Sequence, residues 1–128
     1  MDERTEYWIE IAEYDIETAK AMLVSKRFLY VGFMCHQAIE KTIKAYYCSV
    51  KKDVPPFTHN LKNLAQQCDL LLLFSEEQLD FIEEILPMNI EARYPKHKEM
   101  LLKLLTSQKC GEIIKQTESL CQWIKQQL

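Results

Sequence analysis

Glycine and proline are scarce in this chain, with two glycines and four prolines among 128 residues. An all-β fold turns its chain about every 8–12 residues and leans on those two residue types to do so. Their shortage therefore argues for helices. Long apolar runs are missing too. The longest charge-free run, Phe28 to Ile39, is shorter than the roughly 20 residues a membrane-spanning helix needs. The five cysteines, at positions 35, 48, 68, 110 and 121, are odd in number and include no C-x-x-C pair. That count and spacing argue against a disulfide framework or a zinc site and for buried free thiols in a reducing cytosol. The N-terminus lacks the basic-then-apolar pattern of a secretory signal, so the expected location is cytoplasmic, with no membrane association. There is no internal repeat, low-complexity segment, glycine-rich phosphate loop, carboxylate metal pair or nucleophile elbow. No metal and no cofactor are expected.

What the sequence has is an ordinary globular balance, 48% apolar and 27% charged, with a net charge of −3. This length fits one domain, 1–128, large enough to bury a core without staples. The small net charge provides no strong steering toward nucleic acid.

Apolar residues recur at helical steps along most of the chain. Trp8, Ala12, Ile16, Ala19 and Leu23 predict a first helix over about 4–25. Asp15 falls on its apolar face, where a carboxylate needs a partner. A second helix is expected over about 29–51, apolar nearly all round in its first half and therefore central. Pro55 and Pro56 end that stretch. A short helix over about 59–72 follows, with Thr58 as its cap. Ser75 and Gln78 have capping-box spacing and open a fourth helix that Pro87 ends or bends. Residues 100–105 read as a short helix or a packed loop. The stripe Cys110, Ile113, Ile114, Thr117, Leu120, Cys121 and Ile124 predicts a last helix over about 107–127. Short connections favour antiparallel neighbours. The expected fold is all-α, an up-and-down antiparallel bundle of four main helices plus a short one. Tyr46, Tyr47, Phe81 and Trp123 exceed what such a core holds, so a homodimer buried on that aromatic surface is expected.

Three polar clusters carry the functional information. Gln37, Lys41 and Lys44 share one face of the second helix, and His36 and Glu40 form a second line, with Glu40 one turn from Lys44. Such charges can be a solvated face. Directly after an apolar half-helix they can equally be half-buried and specific. Thr58-His59-Asn60 reads as a capped helix start or as an anion site at the helix N-terminus. Arg93-Tyr94-Pro95 with Lys96, His97 and Lys98 reads as a structural latch or as a fork for a carboxylate or phosphate.

The ordered set of these motifs resembles the HEPN family (higher eukaryotes and prokaryotes nucleotide-binding). Trp8, Ala12, Asp15 and Ala19 lie on the first helix. Phe33, Gln37-Ala38, Glu40-Lys41 and Lys44-Ala45 follow, then His59-Asn60-Leu61, then Ala92-Arg93-Tyr94-Pro95. The resemblance implies a dimeric helical bundle, one that often accompanies a minimal nucleotidyltransferase, in a superfamily whose other branches include toxins of toxin–antitoxin pairs. Two functions follow from it. One is a non-catalytic module binding a nucleotide or other phosphorylated small ligand through Gln37, Lys41, Lys44, Arg93 and Tyr94. His59 would lie at the edge, and Asp15 and Glu40 would support the site. The other is a metal-independent endoribonuclease, with RNA as partner and Arg93 and His97 as the catalytic pair. The family's nuclease motif separates Arg and His by four to six residues. Here only Tyr94-Pro95-Lys96 intervene, and Pro95 hinders a helical pairing of the two. The sequence therefore favours binding without catalysis.

Overall fold

A computed structural model describes residues 1–89 and 95–128. Among them are six α-helices, two 3₁₀ turns and no strand. Helix α1 spans Glu3–Val24, α2 Phe28–Lys51, α3 Leu61–Gln67, α4 Glu76–Ile85, α5 Pro95–Leu104 and α6 Ser107–Gln126. The all-α class is as expected, but the helix count is six rather than four plus a short one. The added helix is α5. Proline is its first residue, where the missing N–H would have had no helical acceptor anyway.

Helix starts follow local chemistry. Asp2 accepts from the Thr5 amide at 2.8 Å and opens α1. Both arms of the Ser75–Gln78 capping box are made, at 3.1 and 2.8 Å. Thr106 caps α6 by accepting from the Lys109 amide. The cap of α3 differs from expectation. Asn60, not Thr58, accepts from the Asn63 amide, while the Thr58 hydroxyl accepts from the Asn60 amide two residues on. The threonine closes a small side-chain turn and passes the capping position downstream. Helix α4 stops at Ile85, and Pro87 sits inside a 3₁₀ turn, Leu86–Met88.

The shortage of glycine shows at the helix ends. Both glycines lie inside helices, Gly32 in α2 and Gly111 in α6. The left-handed positions after α1, α2 and α3 fall instead to Lys26, Lys52 and Asp69, with φ of 61°, 56° and 63°. Each carries a side chain in a region that favours glycine.

Cross-helix pairs fix the directions. Asp15 meets Lys41 and Trp8 meets Lys44, so α1 and α2 run antiparallel. Glu13 pairs with Lys125 and Lys20 with Glu118, so α6 runs antiparallel to α1. Ile39, Ile43, Leu64, Ile82, Ile85, Ile113 and Ile124 fill the core around α2 and are fully buried. Lys62 of α3 pairs with Glu83, and Lys109 of α6 with Glu84, which ties α4 to both neighbours. All five cysteines are free and buried. Burial pushes the Cys35 thiol up to about 12 and those of Cys110 and Cys121 to about 11, so they pack as apolar groups.

The aromatic surplus expected at a surface is mostly absorbed. Tyr46 and Phe81 are buried, and Tyr47 and Trp123 are half-buried, with Trp123 tilted against Phe74 at 5.5 Å. Among the described residues the exposed aromatics are others: Tyr7 and Tyr14 on α1, Tyr30 on α2, and Phe57. No helix among the described residues is long and apolar enough to cross a membrane.

Candidate functional site

Helix α2 is surrounded by other elements, so polar residues in its second half are drawn into the interior. Lys44 and Glu40 are one turn apart, as i, i+4 spacing requires, and their Nζ–Oε2 distance is 3.0 Å. Glu40 is only 1% exposed. An unpaired carboxylate there would be prohibitively costly, and both of its oxygens are used. Oε2 takes Lys44, and Oε1 accepts from His59 Nδ1 at 3.0 Å. Lys44 is buried in turn, with its ammonium 5.2 Å from the centroid of the Trp8 ring, within range of a cation–π contact. A line of alternating groups thus runs from Trp8 on α1, through Lys44 and Glu40 on α2, to His59 ahead of α3. Only the last of them reaches solvent substantially, the His59 side chain being 52% exposed.

A second line lies beside it. Lys41 Nζ is 2.7 Å from Gln37 Oε1 and 3.5 Å from Asp15 Oδ2. The partner that Asp15 needs on the apolar face of α1 is therefore Lys41. Burial holds the Asp15 carboxyl above the usual carboxylate range, with Lys41 pulling it back down and the charge of Glu40 adding to the rise. His36, one turn before Glu40, is fully buried, and among the described residues its Nδ1 makes no hydrogen bond. Burial pushes the His36 imidazole down to about 4. Glu40 opposes that fall, while His59 and Lys41 add to it. The charges of Glu40, His59 and Lys41 thus all act on the His36 ring.

Of the residues expected in a site, the structure brings together Asp15, Gln37, Glu40, Lys41, Lys44 and His59. Arg93 and Tyr94 lie outside the described residues. His97, the other half of the nuclease alternative, points its ring at the backbone. Its Nε2 donates to the carbonyl oxygen of Pro87 at 2.8 Å. Lys96 and Lys98 beside it are exposed. Two members, Trp8 and His36, were noted in the sequence but not carried into the expected site. Trp8 reads there as an ordinary apolar position, and only the antiparallel packing of α1 on α2 puts it over Lys44. His36 carries a usable signal, since 36, 40 and 44 form an unbroken i, i+4 series. Among the described residues no cluster of three His, Cys, Asp or Glu side chains is placed to hold a metal.

In charge the cluster is balanced, two carboxylates against two ammonium groups. Chemically it offers donors at Lys41 and Gln37 and an imidazole at the rim, with no activated nucleophile. Such a concentration of ionisable groups in an apolar core makes this cluster the candidate functional site.

The HEPN domain family model matches residues 5–127. The fold is similar to that in the crystal structure of TT1696 from Thermus thermophilus, with a TM-score of 0.82 over 99% of this chain and 100% of that one, at 16% identity. No curated protein matches.

Proposed function

The chain belongs to the HEPN domain family, and on that premise we propose that it is a non-catalytic module binding a nucleotide or other phosphorylated ligand. The observation that carries this reading is the state of Lys41. Its closest partner is the neutral amide oxygen of Gln37 at 2.7 Å, and its carboxylate partner stands off at 3.5 Å. An ammonium has three donors. Two point at these groups, and the charge is only loosely compensated, so a phosphate oxygen is a better third partner than water. Lys44 is different, since Glu40 and Trp8 already enclose it, and its part is to hold Glu40. Arg93 would add a planar fork to the same anion.

The nuclease alternative is disfavoured by His97. Proton transfer in phosphodiester cleavage needs an imidazole nitrogen within hydrogen-bond reach of the reacting oxygen. Here Nε2 is bonded to the Pro87 carbonyl.

The module would act as a homodimer, with the exposed Tyr7, Tyr14 and Tyr30 of α1 and α2 as apolar surface for the contact. A minimal nucleotidyltransferase is the protein partner that the family resemblance suggests. Thermal shift against a panel of nucleotides tests the binding reading, because a ligand that binds only the native state raises the melting temperature. Stabilisation that Lys41→Met abolishes supports it, and no response to any phosphorylated compound overturns it. Light scattering tests the dimer against the 15.2 kDa chain mass.

A further inference from the structure

Phe57 lies in the connection between α2 and α3 and is fully exposed, at 101%. Its placement is fixed rather than loose. Pro55 is buried and anchors the connection, and Pro55 and Pro56 restrict the backbone that leads to the ring. The Thr58 amide donates to the Pro56 carbonyl at 3.0 Å, which closes a three-residue turn with Phe57 at its apex. The Thr58 hydroxyl accepts from the Asn60 amide and pins the other side. A rigid aromatic ring held out in water is the kind of side chain that anchors a protein contact, because little ordering remains to be done when a partner covers it.

The same molecule carries a receptor for such a ring. A cleft of about 270 Å³ lies between α4 and α6. Phe81 and Leu120, both buried, form its floor, and Glu77, Lys115 and Ser119 are on its rim. An apolar cavity of about 150 Å³ takes a benzene molecule, so the cleft has room for a phenyl group and the chain that carries it. The charges beside the two features are opposite. Lys51 and Lys52 stand at the foot of the Phe57 connection, while Glu76 and Asp80 neighbour Glu77 on α4. All five are exposed, and among the described residues none makes a salt bridge. Lys115, on the α6 wall, is outnumbered by the three carboxylates.

We propose that the α4–α6 cleft is an interaction surface for a second copy of this chain, whose Phe57 enters it and rests on Phe81 and Leu120 while Lys51 and Lys52 face Glu76, Glu77 and Asp80. Knob and cleft are different surfaces of one molecule, so every copy offers one of each. The contact uses neither the tyrosines of α1 and α2 nor the polar site around Lys41, and it stands apart from the readings above.

Sedimentation velocity of the full chain over about a hundredfold range of concentration tests this, because a contact between copies makes the mass depend on concentration. Two variants remove one half each. Phe57→Ser deletes the knob. Ser119→Arg fills the cleft and sets a cation against Lys51 and Lys52. Both positions are exposed, where substitutions leave stability nearly unchanged. Each variant alone should associate roughly 10- to 100-fold more weakly than wild type, the effect of one buried Phe side chain. An equimolar mixture of the two should recover association that neither shows alone, since one copy keeps Phe57 and the other keeps the open cleft. A dimer formed through the tyrosines persists in both variants and sets the baseline mass. Wild type whose mass never rises above that of Phe57→Ser overturns the proposal, as does a mixture that associates no better than the variants apart.

Discussion

His97 donates its Nε2–H to the carbonyl oxygen of Pro87 across 2.8 Å, tying the first turn of α5 back to the 3₁₀ turn after α4. Ten residues separate the two partners. The bond joins two elements that are not contiguous in the chain, which gives the ring a structural task. His97→Ala should lower stability by about 0.5–1.5 kcal/mol, the net value of one such bond. His97→Gln, whose amide can reach the same carbonyl, should recover part of it. Urea unfolding measures both. In the same preparations a mixed RNA pool should remain intact with wild type and variant alike. Cleavage by wild type that His97→Ala removed would overturn the binding reading and install the nuclease.

Removing Glu40 should be far more damaging than removing His97. Glu40→Ala leaves the Lys44 ammonium buried with no carboxylate partner, which costs about 3–5 kcal/mol. Replacing the pair together, Glu40→Leu with Lys44→Met, removes the buried charge along with its partner. It should cost less than Glu40→Ala alone, because buried ion pairs often exchange for apolar pairs with little loss. Denaturant midpoints at equal slopes decide this. A double variant weaker than the single one would mean that the pair itself stabilises the fold.

How much of this could be read beforehand depends on the range of each interaction. Pairs inside one helix follow from spacing, so Glu40–Lys44 and Gln37–Lys41 were legible, as was the Ser75–Gln78 box. Asp15 shows by its position on an apolar face that it needs a partner. Which one cannot be read from periodicity, because Lys41 lies 26 residues away and the choice is made by the antiparallel register of α1 and α2. The contact of His59 with Glu40 spans 19 residues and depends on how the Pro55-Pro56 connection returns the chain. The aromatic count misled for a related reason. Residue type predicts total apolar area, but only packing decides that Phe81 goes inside while Tyr14 stays out.

The buried His36 gives the stability a definite pH dependence. Its folded-state value, near 4, lies below the unfolded 6.5. Between those values the unfolded chain binds more protons than the folded one, so stability rises with pH through this window. The contribution is complete above about 6.5 and is lost as the pH falls toward 4, a total on the order of 3 kcal/mol. Asp15 acts in the opposite sense. Its folded value is raised, so acid relieves its burial, and it offsets part of the loss at the low end. Urea unfolding between about pH 4 and 7 should show the rise, and His36→Leu should flatten it. An unchanged slope in that variant would assign the dependence to other groups.

The two glycines should respond to alanine with opposite signs. Both are in helices, where alanine is intrinsically better by about 1 kcal/mol. At Gly111 a Cβ would meet nothing within 4 Å, so only that gain applies, and Gly111→Ala should stabilise the protein by about 0.5–1 kcal/mol. At Gly32 a Cβ would stand 3.0 Å from the Met88 sulfur, 3.2 Å from its Cβ and 3.3 Å from its Cγ. The sulfur can swing aside. The Met88 Cβ moves only with its backbone, and that backbone belongs to the turn that His97 holds at Pro87. Overpacking at a buried contact costs about 1–3 kcal/mol, which outweighs the helical gain. Gly32→Ala should therefore destabilise by about 1–2 kcal/mol. Met88→Ala removes the sulfur and Cγ and leaves space into which the remaining Cβ can settle, so in that background Gly32→Ala should be close to neutral. Thermal unfolding of the four proteins completes the cycle. A Gly32→Ala penalty of the same size in both backgrounds would show that the Met88 contact is not what keeps glycine at this position.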